Sequence, residues 1–203
     1  MINTKVKIAK NIIKSTLKLS RNPLIFWTGG KDSTLMLRLL MDFEKEYNIV
    51  FLDSGKEFPE IYRFIEKTAK EWDFKYFTFK YLAPDAQSAR ENKIEAINDA
   101  IESLNPDYVY VGIRWDEHKS RSKELYIRKD ENVFRVHPIL HFTEEDIWTV
   151  TRNTNIPYCE LYDEGYRSLG EAPFTHKSDK SERSGRDQDK EEQMNKLRKL
   201  GYF

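Results

Sequence analysis

The sequence predicts an α/β fold in three layers, a parallel sheet with helices packed on both faces. Short apolar runs of strand length recur along the chain, and stretches with apolar residues at helical spacing separate them. A pair of glycines stands at the first strand-to-helix junction. Parallel strands are covered on both faces, so they read as continuous apolar runs rather than as an alternation. Strands alternating with helices of this length lie parallel in one sheet.

Val6, Ile8, Ile12, Ile13 and Leu17 give an approximate stripe over residues 4–19, an amphipathic helix. Lysines spread through it leave no uninterrupted apolar core of the kind a secretory leader has. Leu24-Ile25-Phe26-Trp27 follows Pro23 as a buried strand and stops at Gly29-Gly30. Leu35, Met36, Leu39 and Leu40 then recur as a helix. Asn48-Ile49-Val50-Phe51-Leu52 is a second strand, and Pro59 opens a helix with Ile61, Phe64, Ile65 and Ala69 on one face. Residues 75–79 make a third strand, 86–104 a helix, 108–112 a fourth strand and 134–139 a fifth. Thr143 is an N-cap with Asp146 three residues on, a capping-box-like start for the helix that holds Ile147, Trp148 and Val150.

At 203 residues the chain accommodates one domain with a small appendage. The boundaries read as an N-terminal helix over 1–20, the main domain over 21–175 and a charged, flexible C-terminal tail over 176–203. That tail has almost no large apolar group before a short terminal helix. Lys+Arg and Asp+Glu balance at 34 each, so the chain lacks the cationic footprint that makes nucleic acid a partner. With a single cysteine, Cys159, neither an intramolecular disulfide nor a one-chain iron–sulfur cluster can form. No apolar run approaches the roughly 20 residues needed to span a bilayer. The expectation is a soluble, cytoplasmic protein.

Ligands of open α/β sheets bind beyond the carboxyl ends of the strands, where residues 28–34, TGGKDST, lie. Gly29 and Gly30 allow a tight turn and close approach of backbone to an anion. The opening amides of the next helix and its dipole favour negative charge. Ser33 and Thr34 add hydroxyls, and Lys31 a compact cation suited to phosphate. The spacing is neither that of a Walker loop nor that of a dinucleotide fingerprint.

TGGKDST resembles the S-G-G-x-D-S pyrophosphate loop of the adenine nucleotide α-hydrolase (PP-loop) superfamily, with Thr28 for the usual serine. Within it the chain resembles the branch of phosphoadenylyl-sulfate (PAPS) reductases and the small subunit of bacterial-type sulfate adenylyltransferase. The resemblance runs from residue 21 to 203. It implies a Rossmann-like sheet and nucleotide contacts from Thr28, Gly29, Gly30, Lys31, Asp32, Ser33 and Thr34. FLDSGKEFPEIYRF resembles the family's loop after the second strand, which sets Asp53, Ser54 and Gly55 beside the nucleotide; Asp53 equally suits a strand-end turn. GIRWDEHKSRSKE resembles G-x-R-x-D-E-x-K-S-R, and implies that Arg114 and Arg121 hold phosphate or sulfate oxygens, with Lys119 beside them. Asp116 and Glu117 then orient these arginines or help hold magnesium; a self-paired charged loop is the alternative. GYRSLG implies that Arg167 closes over the phosphates. His137 and His141 read as packed turn residues.

Two departures separate the branches. The reductase cysteine element E-C-G-[IL]-H is absent, and Cys159 lies too early to replace it. The ending SERSGRDQDKEEQMNKLRKLGYF resembles the S-E-R-x-G-R-x-x-D-x-D close of the adenylyltransferase subunit, although the chain lacks an insertion after residue 128. The resemblance thus implies adenylyl transfer from ATP to sulfate, with Lys31, Arg114 and Arg121 catalytic, Mg2+ accompanying ATP, and a GTPase partner subunit or a homo-oligomer. The alternatives are a PAPS or adenylyl-sulfate reductase-like or sulfotransferase-like protein using an external thiol, and another adenylyltransferase, such as one acting on flavin mononucleotide (FMN). A subunit that binds nucleotide without turning it over is a further one.

Overall fold

A computed structural model describes residues 2–130 and 133–186. The expected terminal helix lies outside them. Six strands form one sheet: β1 (Pro23–Phe26), β2 (Asn48–Asp53), β3 (Phe77–Lys80), β4 (Tyr108–Val111), β5 (Ile127–Asp130) and β6 (Val133–Val136). Their spatial order is β3-β2-β1-β4-β6-β5, and all neighbours pair in parallel except β5 with β6. Among the described residues five α-helices accompany them: α1 (Ile2–Leu19), α2 (Lys31–Leu40), α3 (Pro59–Glu71), α4 (Ala86–Leu104) and α5 (Glu144–Asn153).

Successive side chains of β1 and of Trp27, which follows it, divide between two cores, as the pleat requires. Ile25 and Trp27 join residues of α1, α2, α3 and α5 on one face. Leu24 and Phe26 face the other way, onto Ala89, Ile94, Ile97 and Ala100 of α4. This is the expected three-layer arrangement. Its switch point falls between β1 and β4, where the chain, having run outward through β2 and β3, returns to the other side of β1. A crevice opens at the carboxyl ends of such a strand pair.

The predicted capping box of α5 forms on both sides. Asp146 N–H donates to Thr143 Oγ1 at 3.2 Å, and Thr143 N–H donates to Asp146 Oδ2 at 2.7 Å. The sequence reading differs from the structure in three places. Ile127–Asp130 is a strand that apolar periodicity does not reveal, because an edge strand carrying Arg128, Lys129 and Asp130 needs only one neighbour. The run 134–139 turns after Val136, where Leu140 N–H bonds back to the His137 carbonyl. Residues 176–186, expected to be mobile, fold back onto the body: Glu182 and Arg183 are buried. His176 N–H donates to the Gly185 carbonyl at 2.8 Å. No helix among the described residues is long and apolar enough to cross a membrane.

Candidate active site

The loop between β1 and α2 turns at Gly29, whose φ of +73° is a left-handed value that side chains resist. Gly30 has an ordinary φ of −72° and is the N-cap of α2 without a side-chain cap. The helix start is therefore left to other groups, and Lys31 N–H donates to the Tyr162 hydroxyl at 3.0 Å. Ser33 Oγ donates to the Gly30 carbonyl at 3.0 Å and lies 3.2 Å from Thr28 Oγ1. Thr34 faces the core, accepting from Trp27 Nε1 at 3.0 Å. Gly112, just beyond β4, presses on this helix start so closely that a Cβ there would stand 2.9 Å from Ser33 Cα.

Around the loop lies a buried network of opposite charges. Lys31 Nζ donates to Glu182 Oε1 at 2.6 Å and to the Arg167 carbonyl at 2.9 Å, with Asp32 at 3.4 Å. Arg114, fully buried, spans Asp32 (2.5 Å) and Glu182 (2.5 Å). Glu117 pairs with Arg121 and lies 3.5 Å from Arg183. Burial alone would lower the Lys31 ammonium, but Asp32, Tyr162 and Glu182 outweigh it and hold it above its ordinary range. Burial works against the Glu117 carboxylate too, yet Arg121, Arg183 and Arg114 bring it down to about 2. For Glu182 burial prevails and pushes its carboxyl up, against the pull of Lys31.

A cavity of about 130 Å³ opens beside this network at the switch point. Thr28, Gly30, Lys31, Ser33 and Gly112 line it, together with Arg121, Arg183 and Arg186. Phe26, Phe51, Leu52 and Val111 give it an apolar floor at the strand ends, and Glu57 and Lys93 also line it. The arrangement offers cations and amides for an anion next to an apolar surface for a flat ring.

Several residues expected at the site are placed elsewhere. Arg114 does not line the cavity; its guanidinium fastens Asp32 to Glu182. Arg167 contributes its carbonyl to Lys31, while its guanidinium bonds Glu144 and the Lys180 carbonyl. Asp53 Oδ1 accepts from Gly55 N–H at 2.8 Å and from the Tyr62 hydroxyl at 2.6 Å, the strand-end turn that was the alternative reading. Ser54 is buried and donates to Glu57 Oε1 at 2.8 Å. Asp116 accepts from Glu144 N–H at the start of α5, at 3.0 Å, and lies 3.5 Å from the Arg114 guanidinium, as an orienting carboxylate of that arginine should. His137 Nδ1 donates to the Leu125 carbonyl at 2.8 Å and His141 Nε2 to that of Lys5 at 3.0 Å, in keeping with their reading as packed turn residues.

Other residues at the site were not singled out from the sequence: Tyr162, Glu182, Arg183, Arg186, Glu57 and Lys93. A signal existed for three of them, since Glu182, Arg183 and Arg186 are the charged positions of the S-E-R-x-G-R resemblance. Cys159 is buried, and burial raises its thiol to about 11, far from thiolate character at neutral pH. Asp32, Glu117 and Glu182 present carboxylate oxygens within 4.8 Å of one another, hard donors of the kind magnesium takes.

Comparison with known proteins agrees with the fold and with the family resemblance. Residues 22–177 match the model of the phosphoadenosine phosphosulfate reductase domain. An adenosine 5′-phosphosulfate reductase of Oceanobacillus iheyensis is 31% identical, over 77% of this chain and 73% of that protein. A phosphoadenosine 5′-phosphosulfate reductase of Zymomonas mobilis is 30% identical, over 73% of this chain and 68% of its own length. The crystal structure of Candida glabrata FMN adenylyltransferase with FAD and pyrophosphate superposes with a TM-score of 0.72 at 23% identity. That match covers 86% of this chain and 65% of the other, a likeness of fold. None of these three bears the name of a sulfate adenylyltransferase, and nothing in them supports a GTPase partner subunit. With its TGGKDST loop set at the switch point of a mostly parallel sheet, the chain fits the PP-loop superfamily and belongs to the phosphoadenosine phosphosulfate reductase domain family.

Proposed function

We propose that the chain is a PP-loop enzyme that transfers the adenylyl group of ATP to an oxyanion, with sulfate as the acceptor. The observation that carries this reading is the state of Cys159. The only thiol of the chain is buried among core residues and held protonated, so the attack on sulfur that a reductase makes through its own thiolate has no agent here.

The β- and γ-phosphates would lie on Thr28, Gly30, Lys31 and Ser33, and the adenine on the floor of Phe26, Leu52 and Val111. Sulfate, held by Arg121, would attack the α-phosphorus in line. A new O–P bond forms, the bond to the bridging oxygen of the β-phosphate breaks, and pyrophosphate leaves with the electron pair. Sulfate is already ionised, so no general base is required. The protein's part is positioning and neutralisation of charge. Asp32 and Glu117 would hold magnesium brought with ATP, which supplies further neutralisation of the departing pyrophosphate. Adenylyl sulfate is a high-energy anhydride, so the forward step must be drawn by a reaction that consumes it.

The names of the relatives favour a second reading, reduction of adenylyl sulfate or PAPS by an external thiol. The fold neighbour adds FMN as an acceptor. One set of assays separates them. Sulfate-dependent exchange of labelled pyrophosphate into ATP is expected; sulfite release from adenylyl sulfate with dithiothreitol, or FAD formation from FMN, in place of exchange would replace this reading.

A further inference from the structure

The cradle's main cation is already engaged by the chain itself. Glu182 Oε1 accepts from Lys31 Nζ at 2.6 Å and from the Arg114 guanidinium at 2.5 Å, and its side chain is buried. A carboxylate and a phosphoryl oxygen accept the same charge-assisted hydrogen bonds from an ammonium. They cannot share Lys31 in this arrangement, because its Nζ is also bound to the Arg167 carbonyl and its side chain is almost fully enclosed. The cavity points the same way. Its volume of about 130 Å³ falls short of the roughly 300–1,000 Å³ of sites that hold small ligands.

The segment that carries Glu182 is held to the body without apolar anchors. From His176 to Arg186 it has no large apolar side chain. It is held by polar contacts: Arg186 to Ser168 Oγ at 3.2 Å, Arg183 to Glu117 at 3.5 Å, and the Lys180 carbonyl to Arg167. Around the cradle, Lys31, Arg114, Arg121 and Arg183 face Asp32, Glu117 and Glu182. Withdrawal of the segment removes Glu182 and Arg183 together and leaves Lys31, Arg114 and Arg121 against Asp32 and Glu117, one positive charge in excess and no longer neutralised at Lys31 by Glu182. That excess suits a polyanion.

We propose that Glu182 is a built-in competitor of the ligand's anionic group and sets the affinity of the cradle. A phosphoryl or sulfuryl group that enters takes its place on Lys31 and Arg114, and residues 176–186 swing away. This rests on the reading of residues 28–34 as an anion cradle.

Inorganic pyrophosphate is the probe, titrated calorimetrically into the full chain and into Glu182→Gln. The near-isosteric amide removes the charge, and pyrophosphate is expected to bind on the order of tenfold more tightly. Trypsin gives an independent readout on the unaltered chain. Pyrophosphate should accelerate cleavage after Lys180 and Arg183, the reverse of the protection that a ligand seated beneath a closed segment confers. Equal or weaker binding by Glu182→Gln, or slowed cleavage, overturns the competitor role while leaving the cradle in place. Absence of pyrophosphate binding in both chains removes the cradle and the competitor together.

Discussion

The Lys31 ammonium lies 2.6 Å from the Glu182 carboxylate across 151 residues of chain, nearer than the carboxylate of its own neighbour Asp32 at 3.4 Å. The loop's cation thus has its nearest carboxylate at the far end of the described chain, with Asp32 and Glu182 sharing the balance of its charge. Lys31→Met should therefore act on stability as well as on binding. It leaves a buried carboxylate whose remaining partner is Arg114, at a cost of roughly 3 kcal/mol, the low end for a broken buried pair. Urea unfolding measures this. Lys31→Met with Glu182→Gln should recover most of the loss, yet show no stabilisation by ATP. Stabilisation by ATP in the double variant would contradict the role given to Lys31.

The three glycines at the site should respond differently to alanine. At Gly112 the added Cβ meets the Ser33 backbone at 2.9 Å, so β4 and the start of α2 must part, at about 1–3 kcal/mol. At Gly29 the positive φ makes alanine strained by roughly 1 kcal/mol. Gly30, with its ordinary φ and its nearest neighbour 3.4 Å from the new Cβ, should accept alanine with little change in melting temperature. An equal loss at all three positions would mean that the loop geometry is not as described.

His137 should impose a pH dependence on stability. Burial lowers its imidazole from 6.5 to about 4, and its Nε2 has no hydrogen-bond partner. Between those values the unfolded chain binds the proton and the folded chain does not. Stability is therefore fully present above pH 6.5 and falls as pH drops toward 4, by about 3 kcal/mol. Glu117, brought down to about 2, does not contribute to this window, because its contribution is lost only below about pH 4.5. His137→Gln should flatten the slope between pH 6.5 and 4 in urea titrations. An unchanged slope would assign it to other groups.

Cys159→Ala should lose about 1 kcal/mol of stability from the small void it leaves, and retain the pyrophosphate exchange rate. Exchange that vanishes in a chain still folded by circular dichroism would return the thiol to the chemistry.

Much of this fold was legible in the residues, for reasons that particular elements make plain. The runs at 24–27 and 48–52 are apolar without interruption, as strands covered on both faces must be. The 86–104 helix keeps Ile94 and Ile97 on one side, and Thr143 with Asp146 caps α5 by local chemistry alone. The TGGKDST loop could be placed because it needs only its own glycine, its amides and the strand before it. Ile127–Asp130 could not, since an edge strand is chosen by its neighbour β6 rather than by its own pattern. The roles of Arg114, Arg167 and Glu182 were beyond the sequence as well. A guanidinium or carboxylate binds whatever opposite charge the fold brings near, and here the fold brought Arg114 to Asp32 and Glu182, and Arg167 to Glu144. Local pattern determined where an anion can be held. Only tertiary contact decided which charge holds that place, because ion pairing is set by distance in space and leaves no period along the chain.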